Sequence, residues 1–580
     1  MAMQAQRPRI QRPSSTAVAS APPLASPSHF RERLWNMIPL AGSLFIASSL
    51  FWGPFLAPQV LAIGIVAFFA YWLIRSYSVA IACWVGMRRM GKWEKRVWRT
   101  EYDAWANGRV AAQPWNWARH MVIIPNYKES EAGLSRTLDS LARQENAQQL
   151  VIVMAMEERE GEAHGKAAKL VMRYRTHFAD MFATFHPYGL PNETAGKGSN
   201  EAWAAREARV RIIENAGDEI ERYTITSCDA DAVFHPRHFA ALNYLFLTGD
   251  KPYRTFWQPT IFNTNNIWDI PAPLRIPDGL SGINRMSNLV LWGSVRFPTS
   301  CYSVSWKLLD EIDYWDEEVI PEDWHVYLKS NFMLGDDVNV KALFLPLGND
   351  CVLTDGWFKT LRAHYFQSVR HAWGASDSPY SIRASFGPTP LSKRRRIALA
   401  GAVTKVHMLW MSQWYLITLG SHLPVTLSDH FGGRMPEWWL TGRFRLPGPS
   451  WHLSSIVGGD FSNPVDWWLN LAIANMLIYF CLFPLIAMII FEYRSRGPRP
   501  SYVSLPAAVA GFLMWPLMAF ITFFWASMPA LHAQLKLARG KGLIYRVAEK
   551  GVSKKVVVPV PVHLAPEVEF DAVGAMGGGQ

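Results

Sequence analysis

Apolar residues run almost unbroken through two stretches near the N-terminus, 35–55 and 59–85. Each is long enough to cross a bilayer, which takes about 20 apolar residues. An uncharged linker around Pro54 and Pro58 joins them, Arg31 and Arg33 precede the first, and MRRMGKWEKR follows the second. Basic flanks at both outer ends predict a hairpin over 34–86 with both ends in the cytoplasm. Long apolar runs return at 397–423, 467–491 and 505–531. The basic segments SKRRR, EYRSRGPRP and LKLARGKGLIYRVAEKG each favour the cytoplasmic side, and three full crossings cannot satisfy all of them. Lys405, His407 and Gln413 argue that 397–423 lies partly in the interface, and Pro516 that 505–531 is re-entrant. Interfacial and transmembrane helices are thus expected over 386–531, with a cytoplasmic tail over 532–580.

Between these regions, over 100–385, the pattern shortens. HMVIIPNY and QLVIVMAM are brief apolar runs of the kind that form buried strands. SEAGLSRTLDSLARQ has helical spacing in Leu134, Leu138 and Leu141. GEAHGKAAKLVMRYRTHF and NEAWAAREARVRIIENA are further helices, and RYTITSCDADAVF is another strand. Alternation of strand and helix predicts an α/β domain built on a mostly parallel sheet with helices on both faces. Ligands of such sheets bind at the carboxyl ends of the strands. Asn126 to Glu129, Glu157 with Glu158, and Asp229 with Asp231 fall near such ends.

Composition agrees with a membrane protein. Half of the 580 residues are hydrophobic, 27 are Trp, and only 18% are charged, against about 25% in soluble proteins. The 58 Lys and Arg against 47 Asp and Glu give +11. The basic residues sit beside the apolar runs, which suits anionic lipid headgroups. No face interleaves basic and aromatic residues as nucleic-acid binding would need. The five cysteines show no metal or disulfide spacing, so a reducing compartment is expected. Residues 1–33, rich in Pro, Ser, Ala and Gln, predict a disordered tail. No cleavage site clearly follows the first apolar run, so it reads as an anchor.

Five short segments hold candidate chemistry. Asp229 and Asp231 on an extended backbone would point to one side, a platform for a hard cation shared with phosphates; a solvated turn explains the triplet equally well. In PNYKE, Tyr127 could stack on a base and Glu129 bind a polar edge, unless the segment is an ordinary Pro-Asn turn. GKGSN sets Lys197 between glycines at a helix start, where phosphate is attracted; a flexible loop is the plainer account. IPEDW puts Glu322 and Asp323 beside Trp324, giving either a general base or a helix cap. In QSVRHAWG, Gln367, Arg370 and Trp373 share a face if the segment is helical. Arg370 could clamp a diphosphate, or the segment is an amphipathic interfacial helix.

Taken in order, PNYKE, D-A-D, E-D and Q-x-x-R ahead of apolar helices resemble the membrane-embedded family 2 glycosyltransferases. These include the cellulose and hyaluronan synthases and the ceramide-glucosyltransferase type. The resemblance covers the 100–385 domain and, more loosely, the flanking helices. It implies a GT-A fold, an inverting transfer from a nucleotide-sugar donor, usually UDP-linked, and Mg2+ or Mn2+. Tyr127, Glu129 and Glu157 or Glu158 would lie near the nucleoside, and Lys197 near the donor loop. Asp229 would contact the donor, Asp231 the metal and diphosphate, and Asp323 would be the general base. Glu322, Gln367, Arg370 and Trp373 would meet acceptor and diphosphate. His371 stands where the motif has tryptophan, which leaves processivity open. The partners implied are a nucleotide-sugar, a glycan or lipid acceptor and the bilayer, with no nucleic acid and protein partners unknown. The location implied is the bacterial inner (plasma) membrane, with the catalytic domain cytoplasmic. Single-sugar transfer to a lipid is an alternative, as is a catalytically dead scaffold. A transporter should have charged or broken helices at mid-membrane; here the acids lie in the soluble part.

Overall fold

The computed structural model describes residues 29–541, apart from 292, 421, 425–426 and 428–475. Helices α1 (His29–Asn36), α2 (Ile38–Leu56) and α3 (Pro58–Trp93) open the chain. Then come α4 (Trp98–Ala106), β1 (Arg119–Asn126), α5 (Glu131–Ala142), β2 (Leu150–Glu157), α6 (Ala163–Tyr174), β3 (Asp180–His186), α7 (Lys197–Arg209), β4 (Tyr223–Ser227) and β5 (Val233–Phe234). They are followed by α8 (His238–Thr248), β6 (Thr255–Asn263), α9 (Arg275–Val290), β7 (Tyr302–Ser305), α10 (Trp306–Glu311), α11 (Glu322–Leu334), β8 (Asn339–Asn349), α12 (Trp357–Ala372) and α13 (Asp377–Phe386). The remaining described helices are α14 (Lys393–Leu419), α15 (Leu482–Ser495), α16 (Leu505–Phe512), α17 (Met518–Thr522) and α18 (Met528–Ala538).

Among the described residues, four helical stretches are long and apolar enough to cross a membrane: Arg31–Leu56, Val60–Trp93, Met476–Ser495 and Leu505–Ala538. Most of the 397–423 run, with Lys405 and His407, lies in α14 (Lys393–Leu419), which is not among them. The start of the 467–491 run and the LIYRVAEKG segment lie outside the described residues. The run at 505–531 is broken at Pro516 by a tight 3-10 turn, Trp515–Leu517. The 36 residues of α3 span about 54 Å at 1.5 Å per residue, well beyond a hydrocarbon core of about 30 Å. Its second half docks on α9: Arg75 Nη2 donates to Asn288 Oδ1 at 2.9 Å, and Cys83 Sγ lies 3.6 Å from the Ile283 carbonyl.

The sheet has eight strands in the order β3-β2-β1-β4-β7-β6-β8-β5. The pairs β1–β2, β2–β3, β1–β4 and β6–β8 are parallel; β4–β7, β6–β7 and β5–β8 are antiparallel. This is the expected α/β architecture, a mostly parallel sheet set between N-terminal and C-terminal apolar helices. Successive strand residues face opposite sides, and both sides are covered. Val122, Ile124, Ile152 and Met154 meet Leu134, Leu138 and Leu141 of α5 on one face. Met121, Ile123, Val151 and Val153 meet Ala202 and Ala205 of α7 on the other. Strands buried on both faces read as unbroken apolar runs, which is why HMVIIPNY and QLVIVMAM are recognisable. Truncating a fully buried residue such as Ile123 to Ala costs about 2–5 kcal/mol.

Candidate functional site

β2 and β3 lie on one side of β1, and β4 on the other. The winding therefore reverses between β1 and β4, and a crevice opens beyond their carboxyl ends. β6 and β8 run the same way as β1 and β4. β7 runs opposite, so the residues leading into it, Ser300 and Cys301, arrive at the same edge. The first turns of α7 and α11 bring Lys197 and Glu322–Asp323 there as well.

β4 ends at Ser227, and the Cys228 N–H still donates to the Ile123 carbonyl at 3.0 Å. Asp229 to Asp231 then form a turn, closed by the Ala232 N–H on the Asp229 carbonyl at 3.0 Å. This corrects the extended backbone expected for the triplet, and the two carboxylates have different surroundings. Asp229 accepts from Lys197 Nζ at 2.9 Å, from Asn349 Nδ2 at 3.1 Å and from the Ser300 hydroxyl. Asp231, buried, accepts from the Asp350 N–H at 2.9 Å. Asp350 in turn pairs with Arg136 at 2.6 Å.

Lys197 is the electrostatic centre of the edge. Besides Asp229 it donates to the Ser300 carbonyl at 2.6 Å and lies 3.4 Å from Glu322 and 4.0 Å from Glu201. Burial works against its charge, but Asp229, Glu201 and Glu322 outweigh burial and hold its pKa well above the usual lysine range. The close approach of α7 to α11 depends on Gly198. A Cβ there would stand 2.9 Å from the Cβ of Glu322.

Ser300 ties the cluster together. Its φ of 61° is in the left-handed region, uncommon outside glycine. In that conformation its N–H donates to Asp323 Oδ2 at 3.0 Å, its hydroxyl to Asp229, and its carbonyl accepts from Lys197. Asp323 Oδ1 accepts from the Trp324 N–H at 2.8 Å. Burial, reinforced by the charge of Glu322, raises Asp323 from 3.8 to about 7, against the pull of the Ser300 N–H and Lys197. Glu201, fully buried, is raised by burial to about 8, with Lys197 opposing, and accepts from Ser227 Oγ at 2.6 Å.

A second group stands at the ends of β1 and β2. The Arg159 guanidinium lies over the Tyr127 ring at 4.0 Å from its centroid and 5.6 Å from that of Tyr188. Glu157 holds it, with Arg159 Nε 3.1 Å from Oε2. His186 bridges Glu157 at 3.4 Å and Glu193 at 2.9 Å. Burial alone would lower its pKa, but the two carboxylates prevail and raise it. The Glu129 carbonyl accepts from Lys166 Nζ at 2.9 Å, and the Glu158 N–H donates to the His186 carbonyl at 3.0 Å.

Gln367 and Arg370 lie on α12, which meets α9 where His364 Nε2 approaches Asp278 at 3.5 Å. The helix ends at Ala372, so Trp373 begins a 3-10 turn instead of extending the helical face. Its indole packs with Ala47, Val369, Met411 and Ala533. Of the predicted residues, Lys197, Asp229, Glu322 and Asp323 thus form one network, with Asp231 across the turn. Tyr127 and Glu157 form the neighbouring group, and Gln367 and Arg370 belong to the α12 wall. Ser300, Asn349, Glu201 and Arg285 escaped prediction. The helical spacing of Ile276, Ile283 and Met286 could have located α9, but not singled out Arg285 on it.

No protein-family model and no curated protein matches the chain. Among solved structures it aligns with the mannosyltransferase PcManGT from Pyrobaculum calidifontis, solved in complex with GDP-Man and Mn2+. The alignment has 15% identity and a TM-score of 0.36, and covers 76% of this chain and 98% of that one. So loose an overlap leaves the functional assignment to the geometry above.

Proposed function

We propose that this chain is an inverting, membrane-embedded glycosyltransferase of the family 2, GT-A type. It moves a sugar from a nucleotide-sugar, UDP-linked by the sequence resemblance, to a hydroxyl of a glycan or lipid acceptor. The catalytic domain is residues 100–385, on the cytoplasmic face of a bacterial inner membrane. One observation supports this above all: Ser300 joins a carboxyl poised near pH 7, Asp323, to a carboxylate and an ammonium, Asp229 and Lys197, at the mouth of the β1/β4 crevice.

In this scheme Tyr127 offers a ring to the nucleobase, and Glu157 holds Arg159 beside it. Asp229 and Lys197 face the donor. An acceptor hydroxyl at Asp323 gives up its proton as its oxygen attacks the anomeric carbon. The bond from that carbon to phosphate breaks, and the nucleoside diphosphate leaves from the opposite face. A base with a pKa near the working pH is suited to this transfer. Among the described residues no group of three or more His, Cys, Asp or Glu is arranged as a metal cage. Two carboxylates on one turn do fit a hard cation that draws its other ligands from substrate phosphate and water, as Mg2+ does. Asp231, with Asp229, would hold Mg2+ or Mn2+. When bound, the cation neutralises charge on the diphosphate.

The test incubates membranes containing the full chain with a panel of radiolabelled UDP-sugars, then separates lipid from polymer products. Label should move into one fraction, and Asp323→Asn should abolish the transfer while nucleotide binding persists. Normal turnover in purified Asp323→Asn would remove the proposed base.

A further inference from the structure

Arg285 lies on α9 where that helix presses against the end of β6. A Cβ at Gly282, one turn earlier, would stand 3.0 Å from the Phe262 ring. The Arg285 guanidinium donates to neutral oxygens: Nη1 and Nη2 to Asn263 Oδ1 at 3.3 and 3.4 Å, and Nη2 to Ser281 Oγ at 2.9 Å. Asn263 is the register partner of Asn349 on β8, and Asn349 donates to Asp229. Arg285 therefore stands one strand from the Asp229–Lys197 network.

Among the described residues no carboxylate forms an ion pair with Arg285. The acids that act on it from a distance, Asp278 and Asp229, are engaged elsewhere. Asp278 binds Asn263 at 3.1 Å and lies 3.5 Å from His364, and Asp229 binds Lys197. From α12, His371 lies in the field of both Arg285 and Arg370. His371 is itself exposed, and the two cations beside it disfavour its protonation. Arg285 and Arg370 thus share the wall between α9 and α12, where the acid Asp278 is taken up by Asn263 and His364. A guanidinium has five N–H donors. The three bonds above leave Nε–H and one Nη1–H for a ligand. Arg285 is half-buried; withdrawing a charge from water without a counter-ion is costly, and the planar fork of arginine matches phosphate oxygens.

We propose that Arg285 is a diphosphate-binding residue of the donor site, reaching the phosphates from the α9 wall. This rests on the glycosyltransferase function proposed above. A nucleoside without phosphate should not sense Arg285, whereas a nucleoside diphosphate should.

The experiment measures binding of UDP, GDP, uridine and guanosine to the purified full chain with Mg2+, for wild type, Arg285→Gln and Arg285→Lys. For whichever base binds, Arg285→Gln should weaken the diphosphate about 10- to 100-fold, as loss of a charged hydrogen bond does, and leave the nucleoside within about twofold. Arg285→Lys keeps the charge but not the fork, and should lose roughly three- to tenfold. Unchanged diphosphate affinity in Arg285→Gln overturns the assignment, as does equal loss for nucleoside and diphosphate, which marks a structural role. Should Arg285→Gln fail to fold, Arg285→Lys decides by the same comparison. If the wild type binds none of the four, the glycosyltransferase function fails, an outcome separate from any difference between variants.

Discussion

Glu322→Gln isolates what sets the pKa of Asp323, the proposed base. Burial is the largest influence raising Asp323 to about 7, and the charge of Glu322 is the next. The substitution keeps the size and hydrogen-bonding capacity of the side chain and removes that charge. Two unit charges about 6 Å apart at an effective dielectric near 20 repel by about 3 kcal/mol, equivalent to about 2 pKa units. Lys197, 3.4 Å from Glu322, offsets part of this, so a fall of about 1–2 units is expected. The assay is the pH dependence of sugar transfer at saturating donor. In the wild type the rate should rise through a midpoint near 7, where Asp323 loses its proton. In Glu322→Gln the midpoint should move to about 5–6, whatever happens to the maximal rate. A midpoint unchanged by the substitution, with the variant folded, would refute the electrostatic account of Asp323.

Three further outcomes follow from neighbouring geometry. His325 sits between Asp377 at 2.7 Å and Asp316 at 3.0 Å; burial opposes its charge, but the carboxylates prevail and raise it from 6.5 to about 9. Its contribution, up to about 3 kcal/mol, is complete below pH 6.5, declines between 6.5 and about 9, and is gone above. Thermal melts should show that decline in wild type and lack it in His325→Gln. Gly198→Ala should destabilise by about 1–3 kcal/mol, because the new Cβ meets Glu322 Cβ at 2.9 Å; unaltered melting and transfer would show that α7 and α11 yield freely. Excess chelator should abolish transfer and Mn2+ or Mg2+ restore it, whereas full activity in chelator would remove the metal role assigned to Asp231.

Much of the scaffold was legible because burial writes it plainly. β1 and β2 are covered on both faces, so their central residues are apolar, and α5 announces itself by its leucines; in the structure Ser130 caps it, its hydroxyl accepting the Gly133 N–H at 3.0 Å. The candidate site was legible where it is acidic, follows a strand or, as with Lys197, starts a helix between glycines. Ser300 is an ordinary loop serine in the sequence, and its three contacts exist only because β7 runs antiparallel to β4 and brings its leading residues to the edge where β4 ends. Arg285 reads as a surface arginine until α9 is laid against β6. The Asp229–Asp231 spacing, in contrast, suggested more regularity than exists: periodicity says where strands are, but the exact residue at which a strand stops is set by its neighbours.

The cluster also explains why the pKa of the proposed base, Asp323, depends on its neighbours. Asp229, Glu201, Glu322 and Asp323 surround one ammonium, Lys197. Four ionised carboxylates around one cation in a buried site would repel strongly. The structure relieves this by keeping protons on some of them near neutrality, with Glu201 at about 8 and Asp323 at about 7. Any added positive charge, such as a divalent cation at Asp231, would lower the cost of ionising the remainder. A diphosphate arriving there restores negative charge and raises that cost again. Asp323 would then hold an accepted proton more tightly while the donor is bound and release it more readily once the nucleoside diphosphate leaves, a cycle that couples proton abstraction to occupancy of the site.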